Sequence, residues 1–248
     1  MRKGIDSLSV FCYNGRVMER GKEAENMRMR RKAWARPELA ACPFFVDAPL
    51  EHRGGWHALF PRRQPLHLEL GCGKGNFIAA LAVGHPEINY MAVDIKSEVL
   101  AVGRRLVVAA YEEEGREVDN LLLMSQDIER IDQMIAPEDT VDRIYINFCN
   151  PWPKPAHWKR RLTHTRQLEK YKTFLRPGGE LHFKTDDLPL YRATLGYLKE
   201  SGFSLLYETE DLHRSGYEGN IQTEHERMFS AQGIPIKFLI ARWDGGCN

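Results

Sequence analysis

The sequence predicts an α/β protein built on a mostly parallel sheet of seven strands with helices on both faces. Two observations lead to this prediction. From Pro65 onward, short apolar runs alternate with segments of helical period, a pattern typical of parallel sheets. The conspicuous polar residues directly follow the apolar runs, where the carboxyl ends of parallel strands meet. The chain has 248 residues, 43% of them hydrophobic, which is enough for one α/β domain with a sizeable core.

The first strand is the clearest element. Leu66, Leu68 and Leu70 alternate with polar residues, and apolar residues then recur at helical spacing up to Gly84. In chain order, the strands are predicted over 66–70, 90–93, 121–124, 144–148, 180–184, 204–209 and 236–243. The helices are predicted over 77–84, 99–114 with Ser97 as its cap, 163–175 before Pro177-Gly178-Gly179, and 190–200.

The first 26 residues differ from the rest of the chain. Residues 1–26 are polar and non-periodic, so we expect a loose extension, whereas residues 27–248 form a single domain with a basic N-terminal arm. Met27 is a candidate for the natural start. The arm can be a solvated tail or an RNA contact, and the sequence leaves both open. Its cations are Arg28, Arg30, Arg31, Lys32 and Arg36.

Overall composition excludes several classes of protein. The formal net charge is +1, so any nucleic-acid binding must depend on local positive charge. The five cysteines form no CxxC pair and the nine histidines are scattered, which predicts reduced thiols and no metal site. The apolar runs are too short to span a bilayer. We therefore expect a cytoplasmic protein.

A glycine-rich turn follows the first strand. Gly71, Gly73 and Gly75 occupy alternate positions, and glycine lets a ligand lie close to the backbone. A dinucleotide site would show GxGxxG with a pyrophosphate at the helix N-terminus. The GxGxG spacing found here suits a ligand without a pyrophosphate, such as S-adenosylmethionine with its methionine part passing over the loop.

Acidic residues accompany this turn. Asp94 ends the second strand, where a carboxylate can accept both ribose hydroxyls of a nucleoside. Asp127 follows the third strand and is placed to reach an adenine amino group. Glu69 precedes the turn and can orient it or meet an ammonium group. The alternative is a tight structural turn with acids that cap helices. Together the residues predict S-adenosylmethionine as the cofactor.

The loop after the fourth strand combines stiffness with an aromatic ring. Asn150-Pro151-Trp152-Pro153-Lys154 contains two prolines, and Trp152 can either stack on a base or pack into the core. The next twelve residues are basic and contain no acid. This loop is either a solvated face or a contact for phosphates.

The sequence resembles the bacterial tRNA (guanine-N7-)-methyltransferase family, and the resemblance runs from Met27 to Trp243. The motifs that carry it are Glu69–Gly75, Asn150–Lys154 with Lys159–Thr163, His182–Asp186, and Glu218–Asn220 with Thr223–Glu226. The resemblance implies a Rossmann-like methyltransferase fold, S-adenosylmethionine as cofactor and a variable-loop guanosine of tRNA, position 46 in tRNA numbering, as substrate. The oligomeric state varies within the family, so monomer and homodimer both stay open.

The resemblance also implies roles for individual residues. It implies cofactor contacts at Glu69, Asp94, Asp127 and Asn150. It implies substrate contacts at Lys154, Asp186, Thr223 and Glu226. The RNA-contacting segment it implies includes His157, Lys159, Arg160 and Arg161.

One position departs from the family pattern. Many members carry aspartate where this chain has Asn150, and that aspartate is usually assigned the catalytic role. Guanine N7 carries no proton and has an exposed lone pair, so its alkylation needs no general base. We therefore expect Asn150 to support activity, with Asp186 and Glu226 reading the guanine N1–H and N2–H₂ donors.

Other functions fit parts of the sequence. A methyltransferase of the same fold acting on a small molecule or a protein is one alternative, although the basic loop argues against a small apolar substrate. A non-catalytic RNA-binding protein is another, and Asn150 is its only support. A dehydrogenase fits worst because of the glycine spacing. Thr223 and Glu224 to Arg227 can also be no more than a capped, salt-bridged helix start.

Overall fold

The computed structural model describes the backbone of residues 10–13, 16–19 and 32–246, and the side chains of residues 32–246. The chain divides into two compact units, residues 1–33 and 34–248. In the first unit, strands β1 (Val10–Tyr13) and β2 (Arg16–Glu19) pair as an antiparallel hairpin. The predicted boundary after residue 26, the candidate start at Met27 and the cations Arg28, Arg30 and Arg31 lie outside the described residues.

The second unit is built on a mixed sheet of eight strands in the order β3-β6-β5-β4-β7-β8-β10-β9. Strand β10 runs antiparallel to both of its neighbours, and the other pairs are parallel. The strands are β3 (Phe45–Val46), β4 (Leu66–Leu70), β5 (Asn89–Asp94), β6 (Leu121–Ser125), β7 (Val141–Asn147), β8 (Leu175–Thr185), β9 (Ser204–Thr209) and β10 (Lys237–Trp243).

Seven α-helices lie along the described part of the second unit. The helices are α1 (Ala35–Ala40), α2 (Asn76–Gly84), α3 (Ser97–Glu113), α4 (Ile131–Met134), α5 (Thr165–Lys172), α6 (Leu188–Glu200) and α7 (Glu224–Ala231). The four predicted helices are present. Helices α1 and α4 were not predicted, because six and four residues show little periodicity. Helix α7 begins at the stretch for which the sequence offered a capped helix start as one of two interpretations.

The predicted number of seven strands was wrong by one. The additional strand, β3, contains two residues and pairs parallel with β6 through Phe45 and Leu123. Two residues are too few for any alternation pattern, so only the pairing reveals this strand. The alternating β–α order was predicted correctly, and it places the carboxyl ends of β4, β5, β6 and β7 along one edge of the sheet.

Two element boundaries also differ from the prediction. Helix α5 ends at Lys172, and Pro177-Gly178-Gly179 lies inside strand β8 instead of ending a helix. The pairing of β8 with β7 shifts register there, which lets Gly178 take a φ of +79°. Ser97 is the first residue of α3 rather than its cap, and its hydroxyl lies 3.2 Å from the Ser125 hydroxyl.

One face of the sheet is unusually polar near its centre. His67, Arg143 and His182 come from three neighbouring strands, and their registers place them on the same face. Burial lowers the pKa of His67 to about 3, so its imidazole is neutral at physiological pH. A cavity of about 130 Å³ lies beside this cluster and extends to Asn147 and Lys184. Among the described residues, no helix is both long and apolar enough to cross a membrane.

Candidate active site

The glycine turn after β4 uses the backbone freedom that only glycine has. Gly71, Gly73 and Gly75 all have positive φ, at +79°, +56° and +71°. The amides of Gly71 and Cys72 donate to the carbonyl of Val93 at 2.8 and 3.1 Å, which holds the turn against β5. A Cβ built on Gly73 would meet nothing within 4 Å, so open space lies over the middle of the turn.

The Asp94 side chain, at the end of β5, holds this turn through a hydrogen bond. One carboxylate oxygen accepts a hydrogen bond from the Gly73 amide at 2.9 Å, and the other accepts from the Lys96 amide at 2.9 Å. The carboxylate therefore links the glycine turn to the start of α3. This contact is of the kind given by the structural alternative, in which acidic residues hold the turn and a helix start.

Gly103, which the sequence analysis did not single out, lets α3 approach the turn. A Cβ at Gly103 would lie 2.5 Å from the Lys74 carbonyl oxygen and 2.8 Å from its carbon, closer than real contacts allow. Only glycine fits there without moving the backbone of the turn. A glycine in the middle of an otherwise regular amphipathic helix was the available signal, because such a residue usually has a packing reason.

Glu69 is a buried carboxyl group at the carboxyl end of β4. One oxygen accepts a hydrogen bond from the Asn147 side-chain amide at 3.0 Å, and the other has no partner among the described residues. The side chain is 2% exposed, and burial raises its pKa to about 8 against the opposing effect of Asn147 and Lys184. An unpartnered buried carboxyl oxygen is costly, so a cationic or hydrogen-bonding ligand would stabilise it.

Asp127 lies one strand further along the same edge. It caps the short helix that follows β6, and its carboxylate accepts from the Glu129 amide at 3.0 Å. The amide of Gln126 donates to the Asp94 carbonyl at 3.1 Å, so Asp127 stands close to the Asp94 segment. The capping role and the predicted contact with an adenine group are compatible, since a carboxylate has several acceptor positions.

The loop after β7 has an unusual backbone. Phe148 and Trp152 adopt left-handed conformations, with φ of +52° and +43°, which are rare for residues with bulky side chains. The Trp152 amide donates to the Asn150 side-chain oxygen at 3.0 Å, a local turn that Asn stabilises. Trp152 is half-buried, and its ring meets His157 edge-on with centroids 5.5 Å apart. Asn150 therefore shapes the loop that carries it.

The basic loop contains both exposed and buried cations. Lys154, Lys159 and Arg160 are exposed, and His157 is half-buried. Arg161 is only 4% exposed and donates to the backbone of the preceding loop. The structure thus separates Arg161 from His157, Lys159 and Arg160, with which the resemblance grouped it as an RNA contact.

Glu226 is completely buried and fully occupied by hydrogen-bond partners. The Thr223 hydroxyl accepts from the Glu226 amide at 3.0 Å, and the Glu226 carboxylate accepts from the Thr223 amide at 3.4 Å. The same carboxylate accepts from Lys184 at 3.0 Å, His213 at 2.8 Å and Asn220 at 2.6 Å. These four donors fill the acceptor positions of a carboxylate, so the expected reading of guanine by Glu226 finds no vacant acceptor here.

Thr223 and Glu226 form a capping box at the start of α7. The capped helix start, which the sequence offered as the alternative interpretation of this stretch, is therefore present. Glu224, next to Thr223, ion-pairs with Lys74 of the glycine turn at 2.8 Å. The His225 ring stacks on Phe148 with centroids 5.8 Å apart. Helix α7 consequently joins the glycine turn to the loop after β7.

Asp186 lies at the end of β8, half-buried on the same edge of the sheet. Its backbone carbonyl accepts from Lys237 at 3.2 Å. The neighbouring Asp187 caps α6 by accepting from the Leu190 amide at 2.7 Å, which leads the chain away from the edge. Two carboxylates therefore lie at this strand end, and that of Asp187 caps α6.

The chain is 58% identical over 218 residues to the tRNA (guanine-N(7)-)-methyltransferase of Clostridium beijerinckii, a match that covers 88% of this chain and 100% of that protein. The protein of the same name from Acetivibrio thermocellus is 52% identical over 215 residues, covering 87% of this chain and 99% of that one. The chain belongs to the tRNA (guanine-N(7)-)-methyltransferase family. The resemblance read from its motifs is confirmed.

Two further matches concern a family model and a solved structure that shares the fold. A family model described as "Putative methyltransferase" matches residues 63–239, which contain the glycine turn, the loop after β7 and the start of α7. The crystal structure of the 16S rRNA methyltransferase KamB superposes with a TM-score of 0.53 and 16% identity, covering 73% of this chain and 88% of that one. The methyltransferase fold predicted from the sequence is confirmed.

The residues of this methyltransferase family member fit an S-adenosylmethionine cofactor. The unpartnered oxygen of Glu69 offers a partner to the ammonium of its methionine part, and the open space over Gly73 leaves room for a ligand along the turn. No group of three or more histidine, cysteine or acidic residues among residues 32–246 could hold a metal ion. Cys42, Cys72 and Cys149 are free thiols.

Proposed function

We propose that this chain transfers the methyl group of S-adenosylmethionine to N7 of a guanine in tRNA, at the variable-loop guanosine 46. The observation that carries the proposal is the meeting of three features at one sheet edge. The glycine turn, the loop after β7 and the start of α7 are joined there through the Lys74–Glu224 and Phe148–His225 contacts. Relatives that share half or more of its residues over their whole length bear the corresponding name.

The cofactor is proposed to lie along the carboxyl ends of β4, β5 and β6. Its sulfonium supplies an already activated methyl group. In this proposal, Glu69 pairs with the ammonium of the methionine part, Asp94 accepts the ribose hydroxyls and Asp127 accepts from the adenine amino group. The backbone of the turn at Gly71, Gly73 and Gly75 forms the floor of the site. Asn150 bounds it on the side of the loop after β7.

Asn150 does not need to remove a proton in this reaction. Guanine N7 already has an available lone pair, so alignment of the acceptor with the methyl group can supply most of the rate enhancement. Positive charge builds up on the guanine ring during transfer, and carboxylates near the ring stabilise it. Asn150 contributes by holding Trp152 in its left-handed conformation, through its bond to the Trp152 amide.

Guanine recognition is proposed to depend on Asp186. A carboxylate that accepts from N1–H and N2–H₂ would select guanine over adenine, which lacks this donor pair. Thr223 and Glu226 are proposed to support the site indirectly, by holding the start of α7 in place. Both are buried, and they are hydrogen-bonded to each other there. Lys154, exposed beside the loop, is proposed to contact the phosphate of the target nucleotide.

The exposed basic loop is the proposed tRNA-binding surface. Lys159 and Arg160 face solvent, and the Arg160 guanidinium lies 5.1 Å from the centre of the Trp152 ring. His157 touches the same ring, so the loop can present both charge and an aromatic face to RNA. The chain would meet its substrate in the cytoplasm, as a monomer or a homodimer.

Labelled-methyl transfer to an unmodified tRNA transcript tests the proposal. Nucleoside analysis should yield 7-methylguanosine, and a transcript with adenosine at position 46 should accept no label. Asp186→Ala should lower methylation of the guanosine transcript strongly while binding of the cofactor persists. Label in another nucleoside would contradict the substrate, and label that persists in the adenosine transcript would contradict the position.

A further inference from the structure

Arg161 stands apart from the other cations of the basic loop. Its guanidinium donates from Nε to the Pro151 carbonyl at 2.8 Å, from one terminal nitrogen to the Trp152 carbonyl at 3.3 Å, and from the other to the Tyr197 hydroxyl at 3.3 Å. All three nitrogens therefore have partners within the protein. A side chain that is 96% buried and engaged in this way offers little of its charge to a phosphate.

The backbone that Arg161 holds is strained. Phe148 and Trp152 both lie in the left-handed region, and such residues persist only where the surroundings determine the conformation. The Trp152 amide is held by Asn150, and the carbonyls of Pro151 and Trp152 are held by Arg161. The loop is thus held by Asn150, one of its own side chains, and by Arg161, a side chain of the basic loop.

Arg161 is itself fixed to the body of the protein. Its amide donates to the Trp158 carbonyl at 3.0 Å, and its guanidinium lies 5.0 Å from the centre of the Trp158 ring. Tyr197, its third partner, belongs to α6 and packs against His164 with ring centroids 4.8 Å apart. The guanidinium therefore connects the loop after β7 to helix α6, which packs on the sheet.

We propose that Arg161 is a positioning residue for methyl transfer, which fixes the loop Phe148–Trp152 in its reactive shape and makes no phosphate contact with tRNA. The proposal rests on the proposed function, and it divides the basic segment in two. The exposed Lys159 and Arg160 bind RNA, and the buried Arg161 holds the loop Phe148–Trp152. The grouping of Arg161 with the RNA contacts is thereby revised.

Lysine can replace an arginine that contacts phosphate but cannot replace this one. A phosphate contact needs mainly one positive charge near the backbone of the nucleic acid, which lysine supplies. The Arg161 site needs a planar group that donates in three directions, and an ammonium on a flexible stem cannot reach Pro151, Trp152 and Tyr197 together. The neighbouring Arg160, which is exposed, serves as the matched control.

The test compares Arg161→Lys and Arg161→Ala with Arg160→Lys and Arg160→Ala. The salt dependence of tRNA binding reports the number of phosphate contacts, so Arg160→Ala should lower its slope by about one and Arg160→Lys should restore it. Both Arg161 variants should keep the wild-type slope while single-turnover methyl transfer falls about 10- to 100-fold. A slope that falls in Arg161→Ala and returns in Arg161→Lys would overturn the proposal.

Hydrogen exchange supplies a measurement that does not depend on activity. The amides of Phe148 and Trp152 donate to the Lys184 carbonyl and the Asn150 side-chain oxygen, and they should exchange at least tenfold faster in Arg161→Lys than in Arg160→Lys. Equal exchange in the two variants would contradict this role of Arg161. If the wild-type protein methylates no tRNA, the proposed function fails, and this comparison still decides whether Arg161 holds the loop. Thermal melting shows whether each variant folds. If Arg161→Ala does not fold, the comparison of Arg161→Lys with Arg160→Lys decides the proposal.

Discussion

The Lys184 ammonium donates a hydrogen bond to the Glu226 carboxylate at 3.0 Å, and the two side chains are 6% and 0% exposed. Lys184 also donates to the side chain of Asn220 and to the Ile221 carbonyl, at 2.9 Å for the latter. One strand residue thus holds the segment before α7 at Asn220 and Ile221, and the first turn of α7 at Glu226. Burial lowers the pKa of Lys184, while Glu226 opposes that effect.

Removing this buried cation should be costly. Lys184→Met leaves the Glu226 carboxylate buried without its main charge partner, which typically costs about 3–5 kcal/mol of unfolding free energy. Denaturant unfolding would measure the loss. Lys74→Met breaks the exposed ion pair with Glu224, 44% and 52% exposed, and should cost less than about 1 kcal/mol. Similar losses in the two variants would contradict a special role for the buried pair, and adding Glu226→Gln to Lys184→Met should recover part of the stability.

Ionisation of Glu69 should make the cofactor-free protein less stable as pH rises. Burial raises the pKa of this carboxyl to about 8, above the ordinary 4.5, so the folded state holds the proton more tightly than the unfolded state. The stabilisation is complete below about pH 4.5 and is lost as pH approaches 8, at up to about 1.4 kcal/mol per pH unit. Glu69→Gln should lack this loss. Denaturant unfolding of both proteins from pH 5 to 9 measures it, and parallel curves would refute the assignment.

Gly103→Ala should disturb the cofactor turn without touching the site directly. The new methyl group would lie 2.5 Å from the Lys74 carbonyl oxygen, so the turn or the helix must move, at a cost of about 1–3 kcal/mol. We expect weaker binding of S-adenosylmethionine in calorimetry. Gly196→Ala is the matched control, because this exposed glycine in α6 has nothing within 4 Å of its Cβ position. It should stabilise the protein by up to about 1 kcal/mol, and equal effects of the two substitutions would disprove the close approach.

Two substitutions distinguish the two properties of the Asn150 side chain, its acceptor oxygen and its lack of charge. Asn150→Asp keeps an oxygen for the Trp152 amide, so methyl transfer should stay within about tenfold of wild type, since N7 requires no base. Asn150→Ala removes the acceptor and should lower the rate further by loosening the loop. Single-turnover kinetics at saturating cofactor measures both. A gain of several hundredfold in Asn150→Asp would show that a carboxylate does essential chemistry at this position.

Much of the site was predicted from local patterns. The positive φ values of Gly71, Gly73 and Gly75 follow from the turn that joins β4 to α2, and the placement of Asp94 beside Gly73 follows from two parallel strands that end together. The position of Thr223 at a helix start was also visible, as one of two interpretations of the same residues. These features depend on neighbours in the chain or on adjacent strands.

Other features could not be predicted because they depend on residues far apart in the chain. Nothing near Arg161 in sequence distinguishes it from Arg160, and only the folded chain brings Tyr197 and the Pro151 carbonyl to its guanidinium. The four donors around Glu226 come from segments up to 42 residues away, so its burial could not be foreseen from a helix-start motif.

The amino-acid sequence alone determined the alternation of strands and helices, the family motifs and the glycine turn. Each of these depends on short-range periodicity or on backbone freedom at single positions. The folded structure decided which charged side chains face solvent and which serve the interior. That division depends on burial, and burial is set by packing between distant segments. Arg160 and Arg161 are adjacent, yet one faces solvent and the other holds the active-site loop.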